Sequence, residues 1–135
     1  MDLLWESTNR MESSLKAIVT PETFKKVESD AASAKQKVDE MNVEGYPVVM
    51  VGDFNITPNN SIVTDFNSVM KNATQHAEVV DKEESYNDWG ARFLTLDYIF
   101  YDGFSKCHSY DVITEKYAGK EWISDHFPVT AEFTF

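Results

Sequence analysis

Trp122-Ile-Ser-Asp-His-Phe-Pro-Val129 is the stretch on which the reading of this 135-residue chain turns. It gains its meaning from two earlier stretches, Val51-Gly-Asp-Phe-Asn55 and Thr95-Leu-Asp-Tyr-Ile-Phe100. In each, an acid or amide side chain stands at the end of an apolar, β-branched or aromatic run, or inside one. A carboxylate in such surroundings is costly unless it is paired, hydrogen-bonded or bound to a metal. Three such places and an Asp-His pair exceed what core packing requires. They are the residue types that bind a hard divalent cation and take a proton from water.

Gly52-Asp53-Phe54-Asn55, Leu96-Asp97-Tyr98-Ile99-Phe100 and Ser124-Asp125-His126-Phe127-Pro128-Val129 also occur in a telling order. They resemble the last three signature motifs of the endonuclease/exonuclease/phosphatase superfamily. A Gly-Asp-Phe-Asn turn alone is weak; the ordered triple is specific. The resemblance covers the chain from about Gly45 to its end. It implies an α/β (α+β) fold, half or most of a layered α/β sandwich, with a mixed, mostly antiparallel sheet and helices on one face.

In that family the first half of the domain supplies an early Asn, a metal-binding Glu and a second catalytic His. No candidate for the Glu motif precedes Gly52, and His76 and His108 both follow it. The expectation is a single partial domain over residues 1–135, the C-terminal half of such a fold. Residues 1–44 form its helical region and residues 45–135 its motif-bearing sheet region.

A net charge of −11 argues against tight binding to a nucleic-acid backbone, which calls for clustered Lys and Arg. One cysteine, Cys107, excludes an internal disulfide and a cysteine-based zinc site, and it fits a reducing compartment. No apolar run approaches the ~20 residues of a membrane span. Met1-Asp-Leu-Leu-Trp5 lacks the pattern of a signal peptide. The chain is thus expected to be cytoplasmic, or secreted if a signal stands upstream.

Met11, Leu15, Ile18 and Val19 recur at helical spacing, with Ser7 or Thr8 as a start. From Pro21 to about Val43 the helical signal is stronger, with Thr20 as N-cap and Pro21 in the first turn. Phe24, Val27, Ala31, Ala34, Val38 and Met41 share one face; Lys25, Lys26, Glu28, Lys35 and Lys37 lie outside it. Gly45 and Pro47 end the helix. Val48-Val-Met-Val51 suits a strand buried on both faces, with Gly52 ending it and leaving Asp53 and Asn55 at its carboxyl end. Thr57-Pro58 opens a second helix whose buried face is Ile62, Val63, Phe66, Val69 and Met70. Asn72-Ala-Thr74 has the form of a glycosylation acceptor but carries little weight.

Residues 73–93 read as loop, with Ala77-Glu-Val-Val80 as a short strand. A strand follows from Phe93 to Tyr101, then a hairpin-type turn at Asp102-Gly103, and a strand from Lys106 to Ile113. The chain ends in a half-buried strand with Val129, Ala131, Phe133 and Phe135 inward.

Phosphate esters hydrolyse slowly because water is a weak nucleophile and their negative charge repels attack. A bound Mg²⁺ or Mn²⁺ offsets that charge, and a positioned base deprotonates the water. His126 is the candidate base, since an imidazole changes charge near working pH. The family resemblance pairs Asp97 with it to fix its tautomer. It places Asp125 at the metal, directly or through water. It makes Asp53 the residue that orients the nucleophilic water or binds metal, and Asn55 a donor to the phosphate. Tyr86, Asn87 and Trp89 are substrate-contact candidates in a loop mixing aromatics, amides and Gly90.

The expected function is a metal-dependent phosphoesterase. Its substrate is a phosphate ester: a small molecule, a lipid head group or a nucleic acid, with the acidic charge favouring the first two. The alternative is a non-catalytic half-domain that assembles or binds through an exposed sheet face, as a homodimer or with a missing N-terminal half. The chain alone is expected to be poorly active, because a site without the family's Glu holds metal weakly.

Overall fold

The computed structural model describes residues 21–135, with side chains described from Asp30 onward. The helix expected around Met11–Val19 and the Thr20 cap lie outside the described residues. Helix α1 spans Pro21–Met41. It ends where the sequence places the stop: Gly45 adopts φ +69° and its N–H donates to the Asn42 carbonyl. The Asn42 side chain binds both the N–H and the carbonyl of Tyr46, closing the turn. Ala31 is buried, but Met41, the last residue of the helix, is exposed. Lys35 is not on the solvent face as expected. Its ammonium lies between Asp39 of its own helix and Asp102 of the sheet, tying α1 down.

Strand β1 spans Val48–Asp53 and is antiparallel to β4, Asp97–Asp102. Helix α2, Ser61–Val69, starts later than Thr57-Pro58 predicts. Asn60 is the true N-cap and accepts from the Ile62 N–H, while Thr57 to Asn60 form the preceding turn. Ile62, Val63, Phe66 and Met70 are buried and Val69 partly so. β2 (Lys71–Asn72) and the one-turn helix α3 (Ala73–His76) follow. Asn72 is buried: its side chain caps α3 through the Thr74 N–H and donates to Asn67. The Asn72-Ala-Thr74 triplet is therefore a helix cap.

β3 (Val79–Val80) and β5 (Lys106–Val112) pair in parallel, and β5 pairs antiparallel with β6 (Val129–Thr134). Among the described residues, two three-stranded sheets have the orders β1-β4-β2 and β3-β5-β6. The Asp102-Gly103 turn forms, with Gly103 at φ +80°, yet it joins strands of different sheets and makes no hairpin. Phe135 is exposed beyond the end of β6, against expectation.

Both cores meet at β4. Its Tyr98 and Phe100 face α1 and α2, clustered with Met50, Phe54, Val63 and Phe66. Its Ile99 and Tyr101 face the second sheet, clustered with Cys107, Tyr110 and Val112. The molecule is layered helix, sheet, sheet, and β4 is the strand buried on both faces. That property was expected of β1. β1 instead lies at the end of its sheet's order, and Val51 on it is 44% exposed. A β-bulge between Cys107 and Ser109 resets β5, so that Cys107, Tyr110 and Val112 all point inward.

Candidate functional site

In an antiparallel pair the end of one strand meets the start of the other, so residues distant in sequence come together in register. Asp53, the last residue of β1, is the direct partner of Asp97, the first of β4. The turn after Asp53 is held from beneath. Phe54 is buried edge-on against Phe66, Tyr98 and Phe100, and its N–H donates to the Leu96 carbonyl. The Tyr98 hydroxyl donates to the Ile56 carbonyl at 2.8 Å. Asn55 is exposed, at φ 54°, a left-handed conformation that Asn tolerates. Its N–H donates to Asp53 Oδ1 at 2.9 Å.

His126 comes from the segment before β6. The Ser124 hydroxyl accepts from the His126 N–H at 3.1 Å, the local bond expected of that serine. His126 Nδ1 lies 2.6 Å from Asp97 Oδ2, and Nε2 lies 3.7 Å from Asp53 Oδ2. With Nδ1–H donating to Asp97, Nε2 carries the lone pair. The Nε2–Asp53 separation is long for a direct hydrogen bond. The edge of Tyr86 meets the imidazole at 5.0 Å between centroids, and the Arg92 guanidinium stands over the Tyr86 ring. Asp97 pairs with His126; Arg92 makes its ion pair with Asp88 instead.

Burial is the largest single influence on His126 and disfavours the charged ring. The hydrogen bond to Asp97 opposes it, as do the charges of Asp97, Asp53 and Asp125, and the net result is a pKa raised above the ordinary value.

Among the described residues, Asp53, Asp97 and His126 each offer one ligand atom within 4.8 Å of the others, a group that could hold a metal ion. Asp125 is not a member of that group. Its carboxylate accepts from the Ser124 hydroxyl, and its backbone carbonyl accepts from the Asn87 and Asp88 N–H groups.

Of the three loop candidates, only Tyr86 touches the histidine. Asn87 is fully buried: its amide donates to the Ser124 carbonyl and accepts from the Trp89 N–H, which stitches this loop to the 124–126 segment. That side chain is consumed inside the protein. Trp89 is exposed, at φ 53°. A residue that sequence reasoning passed over is Ser85, also fully buried. Its hydroxyl accepts from the N–H groups of Leu96 and Asp97, and its carbonyl accepts from the Phe127 N–H at 2.7 Å. One small residue therefore links the strand carrying Asp97, through its side chain, to the segment carrying His126, through its backbone. Nothing in its local sequence marks it, since the two bonds reach across the fold.

Comparison with known proteins supplies context for this geometry. The model of the Endonuclease/Exonuclease/phosphatase family matches residues 21–126. The comparison with curated proteins finds no match. Among solved structures, the chain is similar to a mannosyl-6-phosphatase of Bacteroides thetaiotaomicron VPI-5482. Identity is 22% and the TM-score 0.70, over 87% of this chain and 48% of that one. It is also similar to an endonuclease/exonuclease/phosphatase from Bacteroides vulgatus, with 24% identity and a TM-score of 0.68 over 85% and 45%. A family protein from Leptotrichia buccalis C-1013-b gives 24% and 0.60, over 74% and 40%. The chain spans less than half the length of each of these structures. At such identities the likeness is one of fold.

Proposed function

The chain belongs to the endonuclease/exonuclease/phosphatase family, and from that premise we propose that it is the C-terminal part of a metal-dependent phosphoesterase domain. The observation that carries the reading is the line Asp97–His126–Asp53. One carboxylate is bonded to Nδ1, and a second stands opposite Nε2. That is the arrangement a general base needs: a fixed tautomer and a lone pair aimed at a site where water can be held.

Asp97 accepts the hydrogen bond from Nδ1–H and stabilises the imidazolium that forms. His126 Nε2 takes a proton from the attacking water, which Asp53 orients. The water oxygen bonds to phosphorus, the P–O ester bond breaks, and the leaving oxygen takes a proton from solvent and departs as an alcohol, while His126 returns its proton to solvent. Asn55, exposed beside Asp53, donates to a phosphoryl oxygen. Tyr86 and Trp89 border the substrate, and Asn87 positions the 124–126 segment.

The donor types fit a divalent cation, since two carboxylates and an imidazole offer ligand atoms within 4.8 Å of one another. Asp97 Oδ2 is already bonded to His126, so Asp53 would be the first ligand, with Asp125, whose charge also acts on His126, as a second carboxylate. Mg²⁺ or Mn²⁺ there would offset charge on the phosphoryl and leaving oxygens. The mannosyl-6-phosphatase among the structural neighbours supports a phosphate-ester substrate of small size.

The test is Mn²⁺-dependent hydrolysis of bis-p-nitrophenyl phosphate by the chain and by His126→Ala. Slow turnover that the variant loses supports the proposal. Turnover at equal rates in both, or metal-independent turnover, overturns it, and turnover in neither is the outcome expected of a part that needs its N-terminal half. A second reading, assembly through the sheet with another copy or an N-terminal half, is favoured by Val51, half exposed within β1. Sedimentation equilibrium decides it.

A further inference from the structure

A cavity of about 490 Å³, lined in part by Phe127, the residue after His126, is not used by the mechanism. Phe93, Trp122 and Phe127 form an aromatic wall, with ring centroids 6.3 Å apart for Phe93–Trp122 and 5.6 Å for Trp122–Phe127. Lys82, Lys116, Glu84 and Glu121 complete the lining with Thr114. The Lys82 ammonium donates to the Thr114 hydroxyl at 2.6 Å, which fixes one rim. A smaller cavity of about 210 Å³ includes His126 and shares Lys116, Glu121, Trp122 and Phe127 with the larger one. The two cavities therefore adjoin along the segment that leads into the catalytic histidine.

We propose that this cavity holds the leaving group of the phosphate ester, and that this group is a neutral polyhydroxylated ring of hexose size. The inference rests on the phosphoesterase reading for the position of the phosphate. The lining decides the chemistry. Its two lysines and two glutamates cancel, so it offers no net attraction to a second phosphate or to a nucleic-acid backbone. Four charged side chains would lose hydration against an acyl chain without compensation. Carboxylates and ammonium groups are instead good partners for hydroxyls, as acceptors and donors respectively. The C–H face of a sugar ring is apolar and mildly positive, and it lies well on the electron-rich face of an aromatic ring. A cavity of this size suits one such ring with room for solvent.

Chemical-shift titration of the ¹⁵N-labelled chain tests this with three probes: methyl α-glucopyranoside, adenosine and inorganic phosphate. The glucoside is expected to shift the Trp122 indole N–H and the amides of residues 114–122, saturating in the millimolar range. Phe93→Ala and Glu121→Ala, both at solvent-exposed positions, are each expected to weaken it about tenfold, the effect of one lost ring or charged hydrogen bond. Absence of saturable glucoside shifts overturns the proposal, as does binding that neither variant weakens. Shifts from adenosine alone overturn it in favour of a base-stacking surface. Phosphate reports on the other reading: shifts centred on Asn55 and His126 support the catalytic assignment. Glucoside binding without phosphate binding sinks that assignment and leaves a saccharide-binding cavity.

Discussion

Asp53 and Asp97 are direct cross-strand partners at the open end of β1 and β4, and His126 lies against both, bonded to Asp97 at 2.6 Å and 3.7 Å from Asp53. Like charges placed opposite one another on a sheet are destabilising by roughly 0.2–1 kcal/mol. A fold that keeps such a pair has a use for it. The imidazole offsets part of the repulsion when protonated, and a bound cation would offset the rest.

This predicts opposite effects of Asp53→Asn with and without metal. In chelator the variant should melt at or above the wild-type temperature, because one of two facing charges is gone. With Mn²⁺ in hundredfold excess over its Kd, the wild type should gain about 2.7 kcal/mol and the variant little. Calorimetry in the two buffers reads both. A wild type that gains nothing from Mn²⁺ removes Asp53 as a ligand.

Asp97→Asn should separate orientation from binding. The asparagine keeps the shape but cannot stabilise the imidazolium, so kcat should fall by about 10²–10⁴-fold with KM little changed. The pH dependence of stability gives an independent check in chelator. Burial lowers the His126 pKa, but the Asp97 hydrogen bond and the neighbouring carboxylates raise it by more, so the folded value lies above the ordinary 6.5. Folding therefore takes up protons between those two values. The stabilisation is complete below pH 6.5 and is lost as pH rises through the folded pKa. The gap in melting temperature between wild type and Asp97→Asn should accordingly be widest at pH 6 and narrow toward pH 9. A gap that widens instead would reverse the assigned sign.

Ser85→Ala tests the brace beneath the site. The change leaves the Leu96 and Asp97 N–H groups without their shared acceptor, inside the protein. An unsatisfied buried donor costs ~1–3 kcal/mol, so urea unfolding should show a loss in that range. The His126 ring resonances should move as well, because the lost bonds fix the backbone of Asp97, the partner of its Nδ1. Unchanged His126 resonances would confine Ser85 to a stability role.

How much of this was legible beforehand depended on the range of the forces involved. Asp53, Asp97 and His126 stood out because each is a polar residue in an apolar run, and the environment that makes it costly is written in its own neighbours. α2 could be read for the same reason, since its apolar period is local. The start of α2 was misplaced because Asn60 outcompeted Pro58 as the boundary, a choice settled by one side-chain hydrogen bond. The exchange of roles between β1 and β4 was hidden, because Val48-Val-Met-Val51 and Tyr98-Ile-Phe-Tyr101 are equally apolar. Only the sheet order decides which one lies inside. Asn87 and Ser85 act across the fold, and no local pattern distinguishes them from an ordinary loop.

Gly90 carries the last test, because it links the loop to the aromatic wall. Its φ is +89°, a region that an L side chain rarely adopts, and a Cβ there would stand 2.9 Å from Trp122 Cζ2. Gly90→Ala thus adds a strained backbone, worth ~1–2 kcal/mol, to a steric push on the indole. The indole lines the cavity of about 490 Å³, so a push on it changes the shape of that cavity. The expected result is a lower melting temperature together with a shifted Trp122 indole resonance and weaker glucoside binding. Asp97 and His126 are held by bonds that do not pass through Gly90, so their hydrogen-bonded proton should keep its resonance. If stability falls while the indole resonance stays in place, the loss belongs to the backbone alone, and Gly90 does not set the shape of the cavity.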